Sequence, residues 1–143
     1  MSDEVKNAGL LLRVFSKILD LILIAAMVEI IPRAGFYAGV SYLLISDGLF
    51  EGRSIGKVLV GLRVISAAHE GPCSVRESIV RNAPLGVALL LLKLPWIGWI
   101  IFVGVSAIEF LILLGSKEGK RLGDELAKTS VIELVKSKGI QEV

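Results

Sequence analysis

The sequence predicts an all-α membrane protein, a four-helix transmembrane bundle with a short cytoplasmic amphipathic helix and a small two-stranded element where two β-branched segments can pair. Three observations carry that expectation. The 143 residues are 54% hydrophobic with a mean hydropathy of +0.74, too apolar for an ordinary soluble domain of this size. The apolar residues come in uninterrupted runs of span length rather than in one-sided patterns. The basic residues collect on one side of those runs.

The first run, Leu10 to Ile31, is long enough as a helix to cross a hydrocarbon core of about 30 Å at about 1.5 Å per residue. A signal peptide is the competing reading, but no clear small-x-small cleavage site follows and further apolar runs come after it. Pro32 and Arg33 break the chain, and Ala34 to Phe50 forms a second run that must return, giving a helical hairpin. Within it Gly35 and Gly39 make a small-xxx-small pair that lets another helix approach closely.

The third stretch, Ala83 to Leu114, is about twice one span, and Lys93-Leu94-Pro95 divides it near the middle. Its first helix can start early. Ser74 and Glu77 fit a capping box, in which each side chain satisfies a free backbone N–H at the other position, so the helix runs from Val75 to about Lys93. Arg81 and Asn82 then fall at headgroup depth, with Arg81 snorkelling to water. The last helix, Trp96 to Leu114, opens with Trp96 and Trp99 where an interfacial aromatic belt belongs.

Charge placement tests the count. Of 16 Lys and Arg, only Arg33 and Lys93 lie in the two short turns; the rest lie on the N-terminal side (Lys6, Arg13 and Lys17), between Glu51 and Asn82, or in the tail. The positive-inside rule therefore puts both termini and the connection in the cytoplasm. A three-span alternative, with Ala83 to Leu114 crossing once, would strand six basic tail residues outside. The whole chain, residues 1–143, reads as a single membrane domain, with residues 51–74 as the cytoplasmic connection and 115–143 as the tail.

In the connection, Ile55, Val58, Leu59 and Leu62 recur at helical spacing while Arg53 and Lys57 take other faces, which predicts a short interfacial helix. Arg63-Val64-Ile65 then reads as a strand, ended by the turn residues from His69 to Pro72. Thr129 to Val135 in the tail is a matching segment that can pair with it; a loose loop and tail is the alternative. Arg53, Lys57 and Arg63 could attract anionic lipid at about 1 kcal/mol each.

Charged residues inside spans cost about 2.5 to 3.5 kcal/mol each, so each needs a reason or a partner. Arg13 and Asp20 share a face of the first helix with Lys17 between them, giving Asp20 cations within reach on its own helix. Glu29 lies near the outer end, where Arg33 can meet it. Asp47 and Glu51 fall at the inner end of the second span and Glu109 within two turns of the inner end of the fourth. Arg13, Asp20, Asp47, Glu109 and, beyond the fourth span, Asp124 are thus the candidate site, one polar layer between helices. It reads either as an ion or proton site of paired carboxylates or as a set of buried ion pairs that fix helix register.

These residues carry a resemblance. The run from Leu12 to Ile22, with Arg13 and Asp20, resembles the opening of the RDD family, membrane proteins named for one arginine and two aspartates. The middle block Gly52 to Ile65, the pair Arg81-Asn82 and the closing block Lys120 to Ile132 are similar to that family in the same order. Where the closing block often carries His before its Asp, this chain has Gly123. Asp124 and Asp47 are the two choices for the second name-giving aspartate. The resemblance implies a bacterial inner-membrane protein and a role in transport, sodium or proton antiport among the proposals for such proteins.

Function divides accordingly. In one reading the chain is an oligomeric ion- or proton-coupled transporter subunit, in which Asp20 with Asp47 or Glu109 binds the cation and Arg13 tunes it. In the other it is a non-catalytic accessory or assembly subunit of a larger membrane complex, with the charged layer as a clamp. An enzyme is not expected: there is no nucleophile elbow, HExxH, P-loop or dinucleotide fingerprint. One His and one Cys are too few for a zinc or haem site, Cys73 has no disulfide partner, and no cofactor is expected. The net charge of +2 gives no sign of a nucleic-acid partner. The expected partners are the lipid bilayer and either copies of the same chain or a larger membrane complex.

Overall fold

A computed structural model of the chain describes residues 6–134. Two helical hairpins, α1 (Leu10–Ile30) with α2 (Gly35–Ile45) and α4 (Val75–Leu91) with α5 (Ile97–Gly115), stand side by side. The connection between them folds into α3 (Ile55–Val60) and β2 (Leu62–Ser66). The tail forms α6 (Leu122–Leu126) and β3 (Thr129–Glu133), and Lys6–Asn7 is a short β1.

The helices form an open row: α1 packs on α2, α2 on α4 and α4 on α5. In the first hairpin the small-residue pair meets α1. A Cβ at Gly39 would lie 2.7 Å from Ile24 Cγ2, and one at Gly35 only 2.1 Å from the Met27 carbonyl oxygen. Such closeness lets the two helices bury Ile24, Val40, Tyr42 and Leu43 together with Leu89 of α4. The two interhelical turns lie together at one end of the helix bundle, because Lys93 donates a 2.9 Å hydrogen bond to the Tyr37 hydroxyl and stands over the Tyr37 and Phe36 rings. Trp96 and Trp99 are exposed at that same end.

The sheet lies at the other end, and it has three strands where the sequence suggested two. Its order is β1-β3-β2, all antiparallel, with Leu62 opposite Glu133 and Ser66 opposite Thr129. Leu62, Val64, Val131 and Cys73 form a second small core beneath it. Burial pushes the Cys73 thiol up to about 12, so it stays protonated at neutral pH. The expected strand residue Val135, and the tail cations Lys136 and Lys138, lie outside the described residues.

The capping box is present: Ser74 accepts from the Glu77 N–H and Glu77 from the Ser74 N–H at 2.8 Å, and α4 starts at Val75 as expected. Glu77 also accepts a hydrogen bond from Ser66, tying the end of β2 to the start of α4.

Several expectations need correction. The second run is not helical to Phe50: α2 stops at Ile45 and a 3-10 turn, Ser46–Gly48, follows. The turn is held from outside, since the Asp47 N–H donates to the Ser78 hydroxyl at 3.1 Å and that hydroxyl donates to the Leu44 carbonyl at 2.6 Å. Glu29 and Arg33 make no ion pair among the described residues. The helix ends at Ile30, so four-residue spacing no longer aligns them, and Arg33 takes a left-handed φ of 66° in the turn. In α3 the apolar face points away from the protein, with Leu59 69% exposed, while Lys57 turns inward and is buried.

By length and composition one helix, α5, is long and apolar enough to cross a membrane. The others miss that standard for definite reasons. Helix α1 carries Arg13, Lys17, Asp20 and Glu29, α2 has 11 residues, and α4 has 17 with a polar first half.

Candidate functional site: a buried charged layer

Asp20 is almost fully buried, and its partners are not the cations of its own helix. Its carboxylate accepts hydrogen bonds from the Tyr42 hydroxyl at 2.8 Å, the Ser54 hydroxyl at 2.6 Å and the Gly56 N–H at 2.9 Å. Arg13 and Lys17 make no ion pair with it among the described residues. What brings α3 close enough is Gly56: a Cβ there would sit 2.2 Å from the Ser16 carbonyl oxygen. Ser54 does two tasks, capping α3 by accepting from the Lys57 N–H at 3.3 Å while donating to Asp20. The Tyr42 hydroxyl likewise accepts from the Ile55 N–H at 3.2 Å. Asp20 therefore holds the start of α3 against α1 and α2 through neutral donors, each of which offsets part of the cost of burying the charge.

The rest of the layer is built around Arg81. The sequence placed that guanidinium at headgroup depth, reaching for water; in the structure it is 1% exposed and sits between two carboxylates. Its Nε lies 3.2 Å from Asp47 and its Nη2 2.8 Å from Asp124. Asp47 also takes a hydrogen bond from the Lys57 ammonium and one from Asn82 Nδ2 at 3.2 Å. Asp124 accepts from the Arg121 N–H at 3.1 Å, which caps α6, and has the Arg13 guanidinium 3.9 Å away. Arg121 extends the chain of charges to Glu109, 3.3 Å from its Nη1. Arg13 fastens the layer to the tail by donating to the Gly119 carbonyl and, at 3.1 Å, to the Val131 carbonyl.

Burial opposes the charge on Asp124, and Arg81 and Arg121 outweigh it, holding its carboxyl below the usual range. Burial pushes the Lys57 ammonium down, with Asp47 pulling the other way. The close contact of α6 with α4 rests on Gly123, whose added Cβ would lie 1.9 Å from the Arg81 carbonyl oxygen.

Of the five expected residues, Arg13, Asp47, Glu109 and Asp124 are joined into one network and Asp20 stands beside it with its own donors. Glu51 is outside, paired with Arg63 at 3.0 Å on the surface. With Lys57 drawn inward, Arg53 and Arg63 remain as the outer cations of that connection. Sequence reasoning missed Arg81, Lys57 and Arg121 as members of the layer and Tyr42, Ser54 and Asn82 as its neutral partners. One signal for Arg81 was present: the capping box fixes the helix start at Val75, which sets Arg81 in the second turn of α4. Among the described residues no group of three or more His, Cys, Asp or Glu could hold a metal ion.

A family model, that of the RDD family, matches residues 27–128. The chain belongs to the RDD family. The matched stretch contains Asp47, Arg81, Glu109 and Asp124 and the whole middle connection, while Arg13 and Asp20 lie just before it. RDD proteins are generally membrane-associated, in keeping with the apolar α5. Comparison with curated proteins and with solved structures finds no match. Within this RDD chain Asp124 is the aspartate that meets both Arg13 and Arg81, whereas Asp47 meets Arg81 and Lys57.

Proposed function

We propose that this RDD protein is a four-span integral membrane subunit with no catalytic activity of its own. Its two interhelical turns face away from the cytoplasm, and its termini, sheet and charged layer lie at the cytoplasmic side, in a bacterial inner membrane. The observation that carries the membrane part is an inverted distribution of polarity. Helix α5, with a mean hydropathy of 2.4 over its most apolar window, has only 11% of that window buried. Meanwhile Asp20, Asp47, Arg81 and Asp124 are among the most buried side chains of the protein. A soluble fold does the reverse, and so large a bare apolar surface needs a bilayer or a partner to cover it. The short α2 is accommodated because the 3-10 turn continues it and the polar layer meets its inner end; local thinning of the bilayer covers the rest.

The role as a subunit is supported by the state of the carboxylates. Asp20, Asp47 and Asp124 are each engaged by several internal donors or cations, leaving them fixed as a clamp that fastens α3, α6 and the sheet to the helices. Four short helices in an open row also leave faces to be covered by further copies or by a larger membrane complex. Glu109 favours the second reading, an ion- or proton-coupled transporter subunit, since its Oε1 has no partner.

Gentle extraction followed by native mass measurement, with co-purifying chains identified, tests the proposal together with Asp20→Asn. The clamp role predicts loss of assembly or degradation of the Asp20→Asn chain. Intact assembly of that variant with abolished ion-coupled flux in liposomes would establish the transporter reading instead.

A further inference from the structure

Beside the charged layer is a half-open cleft of about 190 Å³. Its walls are α1 and α5, the two ends of the open row, which do not pack closely on one another. One part of its lining is cationic: Arg13, Lys17, Lys57, Arg81 and Arg121, with Glu109 the one acidic side chain. The rest is apolar, with Leu21, Leu85, Phe102 and Phe110 prominent. Leu21 and Phe110 are themselves exposed residues.

Two features of the cationic part are unexplained by the clamp. Lys17 makes no hydrogen bond or ion pair among the described residues, although Lys57, Arg121, Asp47 and Asp20 are its charged neighbours. Arg81, 1% exposed, leaves Nη1 without a partner, and Arg13 leaves Nε so. The four carboxylates of the layer, Asp20, Asp47, Glu109 and Asp124, fall one short of its five cations. Buried donors without acceptors are costly, and an excess of buried positive charge calls for an anion. The apolar walls call for hydrocarbon. An apolar cavity of about 150 Å³ holds one benzene ring, so this cleft admits an anionic group with a short stretch of chain, the remainder lying outside.

We propose that the cleft between α1 and α5 binds an anionic phospholipid of the cytoplasmic leaflet, its phosphate held by Lys17, Arg13 and Arg81 and its upper acyl chain against Phe102 and Leu85. This rests on the membrane placement proposed above. It is a different site from the outer surface of α3 with Arg53 and Arg63, where attraction is a matter of general charge.

The test uses the full-length protein in bilayer discs containing equal amounts of phosphatidylglycerol and phosphatidylcholine with identical acyl chains. The discs are then exchanged into mild detergent, and retained lipid is read by native mass spectrometry. The proposal expects one phosphatidylglycerol retained per chain, at about tenfold or more over phosphatidylcholine, whose phosphate is the same but whose quaternary ammonium is repelled by the cationic lining. Lys17→Gln should abolish the preference and Lys17→Arg should keep it. Ser106→Phe, which fills the apolar part of the cleft, should lower total retention, and helix content by circular dichroism shows that each variant folds. Equal retention of the two lipids, or wild-type retention by Ser106→Phe, overturns the proposal. So does displacement of the lipid by inorganic phosphate at millimolar concentration, which would make the site one for a free anion. If Lys17→Gln does not fold, wild type, Lys17→Arg and Ser106→Phe still decide. Failure of the chain to enter the discs at all would instead refute the membrane placement.

Discussion

Arg81 is the residue on which the layer turns, since it joins two buried carboxylates from different elements, Asp47 in the 3-10 turn after α2 and Asp124 in α6. Arg81→Met would leave Asp47 and Asp124 buried against a weakened positive field, a change that costs roughly 3–5 kcal/mol in comparable buried pairs. We expect a large fall in unfolding temperature in detergent, with Arg81→Lys recovering part of it because an ammonium cannot span both carboxylates. Asp124 gives the sign of the acid response. Its folded carboxyl is held below the usual value, so its contribution to stability is complete above the unfolded value of about 3.9. That contribution is lost as pH falls from there through the folded value. Melting temperature measured from pH 6 downward should therefore drop below about pH 4, and Asp124→Asn should start lower and lose less. Four of the five candidate residues were visible in the sequence as charges misplaced in apolar runs, and Asp124 as an aspartate beyond the fourth run. Their partners were not, because Tyr42, Ser54 and Asn82 carry no charge and because helical spacing offered Asp20 a cation on its own helix that the fold does not use. Helix α2 supplied the Tyr42 hydroxyl, 22 residues away, and the approach of α3, permitted by Gly56, supplied the Ser54 hydroxyl and the Gly56 amide, 34 and 36 residues away.

Among the elements, those with a local chemical cause were readable. The capping box sets the start of α4, and the β-branched runs from Arg63 and Thr129 become β2 and β3 in antiparallel register. Strand β1 has two residues, too few to carry a pattern, and it exists because β3 offers an edge to which Lys6 and Asn7 can pair. The early end of α2 has the same kind of cause, since the turn at Ser46 is imposed by Ser78 from α4. Glycines separate along the same line. Gly123→Ala must force α6 from α4, and we expect a loss of about 1–3 kcal/mol, the range for overpacking, with faster tryptic cleavage within the tail. Gly104→Ala in α5, where nothing lies within 4 Å of the added Cβ, should leave cleavage unchanged and raise stability by at most about 1 kcal/mol.

At the scale of the molecule, the charges sit inside and at one end, the apolar side chains outside, and the aromatic and basic turn residues at the other end. The hydropathy runs and the distribution of Lys and Arg made that polarity legible before any coordinates. The order of the helices was not legible, because contacts between α2 and α4 link residues far apart in the chain through apolar faces that resemble one another. The placement we propose has the chain cross the bilayer four times, and cysteine accessibility tests that most directly. In a Cys73→Ser background, Ala34→Cys, Leu94→Cys, His69→Cys and Glu118→Cys are treated with a membrane-impermeant maleimide in right-side-out and inverted vesicles. The account predicts that positions 34 and 94 react only in right-side-out vesicles and positions 69 and 118 only in inverted ones. Reaction of position 118 from the same side as 34, or of all four positions from one side, would contradict it.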